Sequence, residues 1–270
     1  MVIEGIKNRL RRLPLFRDGL SLISHWRMRR YFTQIGVTDL EHRTRNVLPL
    51  TVQKGPFAGM RLLSRACGSV WTPKVLGCYE IELDCAVEEV VRTMPDVIVD
   101  VGCAEGYFAV GLALRTHAAR VIAADTNPIA RKMVRKMAAT NNVQDRIVTT
   151  DWISCARLER ILSKALKPVV WCDIEGGEWV LLDPKSVPSL RKAWILVEDH
   201  EHATGMPLSG LVDRLSPTHN HRLVAQSSRR AVEWMPGELM SSLTEKEMEL
   251  AISELRPPKQ KWIFFKPKDA

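Results

Sequence analysis

The sequence predicts an α/β protein, built on a doubly wound, mostly parallel sheet of about seven strands behind an N-terminal helical arm. Two observations carry this. From residue 96 onward, short β-branched runs alternate with helical stretches long enough to be crossovers, the pattern of βαβ units with both sheet faces covered. And five strand ends in succession carry a carboxylate, at the edge where open α/β sheets bind ligands.

The expected elements follow in order. Residues 1–50 read as a basic, amphipathic arm, with Leu10, Leu13, Phe16, Leu20, Ile23 and Trp26 at spacings of three or four and arginines between them. Pro14 and Gly19 interrupt any long continuous helix, which favours docking on the body over lying along a membrane surface. Residues 51–95 form a lead-in on the acceptor side, with turn signals at Lys54-Gly55-Pro56 and Thr72-Pro73 and a helix over about 80–93. The domain at 96–270 then offers strands at 97–101, 120–124, 146–150, 168–173 and 194–198. Helices are expected near 106–115, 128–140, 154–165, 177–190 and 208–215. A strand at 221–226, a helix at 238–255 and a closing strand at 261–265 complete it; the last has no crossover helix after it and is free to pair antiparallel. Met133 and Met137, four apart, read as core, and 257–261 as a loop.

Hydrophobic residues make up 46% of the chain and charged residues 26%, which excludes global disorder. The net charge of +8 is uneven: residues 1–50 hold ten Lys/Arg against four Asp/Glu, the remaining 220 hold 29 against 27. The basic character belongs to the arm. Six scattered cysteines without a C-x-x-C pair argue against a zinc ribbon or redox pair. With no secretory h-region and no apolar run of about 20 residues, the expected location is cytoplasmic.

The most specific signal is the loop after the first strand, Asp100-Val-Gly-Cys-Ala-Glu-Gly106-Tyr-Phe. Gly102 and Gly106 permit a tight turn and a ligand against the backbone. A dinucleotide loop reads G-x-G-x-x-G and places phosphate on a helix N-terminus. Here the spacing is G-x-x-x-G, with an acid two residues ahead that would repel phosphate and attract a cation. That suits S-adenosylmethionine. Asp125, ending the second strand, is placed for the ribose hydroxyls, and Asp151 with Trp152 for the adenine amino group and ring face. One strand-terminal Asp is commonly only a helix cap, and Trp152 could simply be core.

DVGCAEGYF, AADTNP and TTDW resemble motifs of class I S-adenosylmethionine-dependent methyltransferases, and the segment Trp171-Cys-Asp173-Ile-Glu175-Gly-Gly-Glu178-Trp is similar to the D-x-E-G-x-E signature of the FkbM type. Gly77-Cys78-Tyr79-Glu80 fits that type too, and the resemblance spans roughly residues 75–200. Ala104 departs from it, standing where the commoner loop has glycine. The resemblance implies a Rossmann-like domain and adds Glu80, Cys103, Tyr107 and Thr126 to the donor-binding set.

Methyl transfer is an in-line displacement, so positioning supplies most of the catalysis, and a hydroxyl acceptor must also lose a proton. Asp173 and His200 are the candidate bases. Asp173, Glu198 and Asp199 resemble the carboxylates that hold Mg²⁺ in some natural-product methyltransferases of this fold; against that, Glu198 and Asp199 could be solvated loop residues, and His200 and His202 surface histidines. Glu175 and Glu178 either shape the site or bias a helix start, and His219 and His221 lack partners at metal-ligand spacing. The expected reaction is O-methylation of a sugar, glycan or secondary metabolite. An RNA methyltransferase using the basic arm is the alternative, disfavoured because Asp173 is followed by Ile-Glu-Gly and not by Pro-Pro-aromatic. A binding protein that kept only the fold is a third reading. The partners expected are thus a small-molecule or glycan acceptor, no nucleic acid, and an anionic membrane if the arm lies on one.

Overall fold

The computed structural model describes residue 23 and residues 26–117, 119–201, 205–256 and 260–269. Seven strands, β1 (Val97–Val101), β2 (Arg120–Ala124), β3 (Ile147–Thr150), β4 (Pro168–Cys172), β5 (Trp194–Glu198), β6 (His219–Ala225) and β7 (Lys261–Pro267), lie in the order β3-β2-β1-β4-β5-β7-β6. The pairs among β1 to β5 are parallel, and β7 runs antiparallel between β5 and β6. This is the seven-stranded, doubly wound, mostly parallel sheet that the sequence predicts. The order in which strands are added reverses between the parallel strands β1 and β4, and open α/β sheets bind ligands in the crevice at the carboxyl ends of such a switch point.

Alternation along the strands builds two cores. Ile98, Val121, Val169, Leu196 and Phe264 face a layer that includes Val87, Val90, Leu112 and Met137, while Val99, Val170, Ile195, Val197 and Phe265 face Leu158, Leu162, Leu211 and Leu215. Both faces being covered explains why the inner strands read as continuous apolar runs. Met133 and Met137 are core, as their spacing predicts.

Several helices depart from the sequence reading. In place of one helix over 177–190 there is a short turn of helix at Glu178–Leu181 and a 3₁₀ turn at Pro188–Lys192, because Pro184 and Pro188 disfavour helix in the residues before them. The helix expected over 238–255 is two, Gly237–Met240 and Glu245–Ile252. The second restarts at a capping box in which Thr244 and Glu247 satisfy each other's backbone donors. The turn signal Thr72-Pro73 instead opens the helix Thr72–Leu76, with proline in its first turn. The helix near 80–93 is a 3₁₀ turn, Ile81–Leu83, followed by Asp84–Thr93.

Within the arm the described residues are 23 and 26 onward, helical over 26–34 and again over Val37–Val47. Phe32 and Val37 pack on Val70 and Leu250. The buried Glu41 carboxylate accepts from the Trp71 backbone N–H at 3.2 Å and from Arg29 at 3.2 Å, and Arg43 pairs with Glu247. The stripe Leu10, Leu13, Phe16 and Leu20, its breaks Pro14 and Gly19, and residues 257–259 lie outside the described residues. No helix among the described residues is long and apolar enough to cross a membrane.

If this docking holds the arm, Phe32→Ala should cost about 3 kcal/mol in urea denaturation, while the exposed Trp26→Ala should change stability by less than about 0.5 kcal/mol. Equal effects of the two would contradict it.

Candidate active site

The site is built where β1 and β4 end. Gly102 is there because nothing larger fits: a Cβ on it would sit 1.5 Å from the Asp173 carbonyl oxygen, and its φ is +87°. Asp173 N–H to the Val101 carbonyl at 2.9 Å stitches the ends of β4 and β1, and Gly102 N–H to the Ala124 carbonyl at 2.8 Å stitches the end of β1 to that of β2. Ala104 adopts φ +47°, the left-handed region that favours glycine, at a cost of about 1–2 kcal/mol. Its N–H donates to Asp125 Oδ2 at 2.9 Å, which ties the loop to the end of β2. Glu80 (φ +49°) and Glu175 (φ +55°) share this strain, and such clustering is a mark of functional sites.

One cavity at this edge is lined by Glu80, Asp100, Gly102, Cys103, Tyr107, Asp173 and Glu198, seven of the expected residues. Asp100 is buried, and its Oδ2 has no hydrogen-bond partner among the described residues. Burial, and next the charges of Asp173 and Asp125, push its pKa well above the usual carboxylate range. Asp125 is raised to about 6, chiefly by burial, although backbone N–H groups of Asn127 and Ala104 work against this. Glu80 reaches about 7 for the same first cause, with Arg256 opposing it. Glu198 is raised by burial and by Asp173.

Other expected residues lie elsewhere. Asp151 and Trp152 follow β3 beyond the cavity lining, and the Trp152 ring is 53% exposed, so it is not core. Gly106 caps the helix Tyr107–Arg115 against Val134, and Thr126 lends its carbonyl to Arg131 at 2.9 Å. The carboxylate trio proposed for Mg²⁺ is not assembled. Glu198 is ion-paired with Arg256, and Asp199 turns Oδ1 to the Glu201 N–H at 2.9 Å. Instead His200 draws acids together: Nδ1 is 2.9 Å from Glu178 Oε1, and Nε2 is 3.4 Å from Asp173 and 3.5 Å from Glu175. One ligand atom from each of Asp173, Glu175 and His200 falls within a 4.8 Å cluster. Burial lowers the His200 pKa, but the Glu178 hydrogen bond and the surrounding charges outweigh it and leave the pKa raised. His200 is buried and so is no surface histidine; His202 lies outside the described residues. His219 is structural, 3.0 Å from the Ala193 carbonyl through Nε2.

Among the cations that escaped the sequence reading are Arg256 and Lys74, which bear on this cavity. Arg256, between the last helix and β7, pairs with Glu80, Glu198 and Glu254 and donates to the Tyr79 hydroxyl at 3.1 Å. Lys74 pairs with Glu105 of the glycine loop. Neither has a local motif. Lys74 offered one signal, a lone charge inside the otherwise apolar run 70–78.

Residues 84–174 match the family model for ribosomal protein L11 methyltransferase (PrmA), a span that holds β1 to β4 and stops before β5. No curated protein matches the chain. Among solved structures, the chain is similar to an O-methyltransferase from Bacillus cereus in complex with SAH (12% identity, 67% of this chain and 78% of that one, TM-score 0.45). It is also similar to a precorrin 8w decarboxylase from Methanobacterium thermoautotrophicum (18%, 70% and 91%, TM-score 0.43). A third is geranyl diphosphate C-methyltransferase from Streptomyces coelicolor (12%, 73% and 80%, TM-score 0.42). Likenesses at this level assign no substrate or reaction to the chain.

The raised pKa of Asp100 has a sign that can be checked. An unfolded aspartate ionises near pH 4, whereas the folded one holds its proton longer, so stability is lost as pH climbs from there toward the folded pKa. Asp100→Asn removes that loss. Its gain in melting temperature over the native protein should be small at about pH 4.5 and larger at about pH 8; a gain independent of pH would contradict the assignment.

Proposed function

We propose that the protein is an S-adenosylmethionine-dependent methyltransferase of the FkbM type, acting on a hydroxyl of a sugar, glycan or secondary metabolite. The observation that carries this is the buried Asp100 Oδ2, without a hydrogen-bond partner among the described residues and set among Glu80, Asp173 and Glu198 at the carboxyl edge of the sheet. Such a lining asks for a cation and repels phosphate. S-adenosylmethionine fits, having an amino group and a sulfonium and no phosphate. Asp100 with the backbone around Gly102 would hold its methionine end. Asp125, whose two oxygens each accept one backbone N–H and keep a second lone pair, would take the ribose. Asp151 and Trp152, further along the same edge, would meet the adenine. When bound, the donor supplies an electrophilic methyl group.

The remaining chemistry belongs to the chain. Asp173 has a side chain 36% exposed beside the cavity, open to an acceptor hydroxyl. His200, its pKa raised, is suited to hold and orient Asp173 through Nε2, while the buried Glu178 fixes its other nitrogen. This favours Asp173 as the group that takes the hydroxyl proton, with His200 positioning it. The D-x-E-G-x-E segment supports the FkbM reading, since Asp173, Glu175 and Glu178 all converge on His200.

Calorimetry with S-adenosylmethionine tests the reading directly. Asp125→Ala should weaken donor binding by about 1.5–3 kcal/mol, the loss of charge-assisted hydrogen bonds. Absence of donor binding by the native protein, or binding of NAD in its place, would sink the proposal. In a methylation assay Asp173→Asn should lower turnover far more than donor affinity, and activity should survive EDTA; loss of activity with EDTA would point instead to a metal on Asp173, Glu175 and His200.

A further inference from the structure

Lys74 is a buried cation in a pocket made of acids. It is 2% exposed, and an ammonium in that position is costly unless its protons find partners. Glu105 takes one and Ser69 Oγ, at 2.7 Å, takes another. The ammonium also stands 4.4 Å from the centre of the Tyr79 ring and 5.6 Å from that of Tyr107. Glu105 is itself shared, since its second oxygen accepts the Cys67 N–H at 2.9 Å. Lys74 lines the same cavity as Asp100, whose Oδ2 is unpartnered. The pocket therefore offers one ammonium and one unsatisfied carboxylate. That is the complement of an α-amino acid, with its ammonium for Asp100 and its carboxylate for Lys74.

Resting on the donor reading above, we propose that Lys74 receives the α-carboxylate of the methionine end of S-adenosylmethionine, and that it makes the pocket select donors that carry one. The third N–H of the ammonium is the donor for this bond, and Glu105 and Ser69 hold the ammonium in place. Charge gives the proposal a sharp consequence. Decarboxylated S-adenosylmethionine is more cationic than the parent, so a lining of acids alone would prefer it. A preference for the parent requires a cation in the right place.

The test is calorimetry of both ligands on the full-length protein, native and Lys74→Met, with circular dichroism to verify folding. The native protein should bind S-adenosylmethionine at least about tenfold more tightly than the decarboxylated ligand, the scale of one charge-assisted hydrogen bond. Lys74→Met should reverse the order, losing affinity for the parent and keeping or gaining it for the decarboxylated form. Equal weakening of both ligands would mean that Lys74 serves only to tie the loops together, and would overturn the proposal. So would a native protein that binds both ligands without preference. Should Lys74→Met not fold, the native preference decides, with Lys74→Arg expected to retain it. A native protein that binds neither ligand would refute the donor reading itself, an outcome distinct from loss of selectivity.

Discussion

The constraint on which the rest of the structure depends is the burial of more acid than base at the carboxyl edge of the sheet. Glu80, Asp100 and Glu198 are almost entirely removed from water, with Asp173 and Asp125 close by. Like charges in a region of low dielectric cannot all ionise, so some of these groups keep their protons until a cation arrives. Arg256 offsets part of the charge by pairing with Glu80 and Glu198. It leaves Asp100 with one oxygen lacking a partner among the described residues, and in folded proteins such a buried orphan calls for an explanation, which a bound cation would supply.

The backbone holds this cluster against its own repulsion. Gly102 lets the loop after β1 touch the carbonyl of Asp173, so two acids carried by neighbouring strands are fixed in register. Left-handed backbone at Glu80, Ala104 and Glu175 adds strain of order 1–2 kcal/mol per residue, sustained by the surrounding hydrogen bonds and packing. The arm contributes from outside. Through Glu41 it braces Trp71, three residues from Lys74, and through Arg43 it grips the helix that leads to Arg256.

Strands β1 to β5 were legible because periodicity and strand-end acids are local signals, and the glycine loop because its spacing excludes a phosphate cradle. What the sequence hid was partnership across long separations. Arg256 meets Glu80 across 176 residues and Lys74 meets Glu105 across 31, and no local pattern announces either. The same blindness misplaced the metal-like trio. Asp173, Glu198 and Asp199 sit at adjacent strand ends, but Arg256 claims Glu198, and the acids that converge on His200 come from the turn after β4. The broken helix at 177–190 and the capping box at Thr244 do have local signals, in Pro184, Pro188 and the Thr-x-x-Glu spacing.

If the pocket is an acid cluster partly held neutral until its cation binds, then binding must expel protons. Titration of S-adenosylmethionine into the protein at about pH 7, in buffers of different ionisation enthalpy, counts them directly. Net proton release is the predicted result, as Asp100 and Glu80 ionise beside the bound sulfonium and amine. Donor binding with no proton exchange, or with proton uptake, would contradict the account.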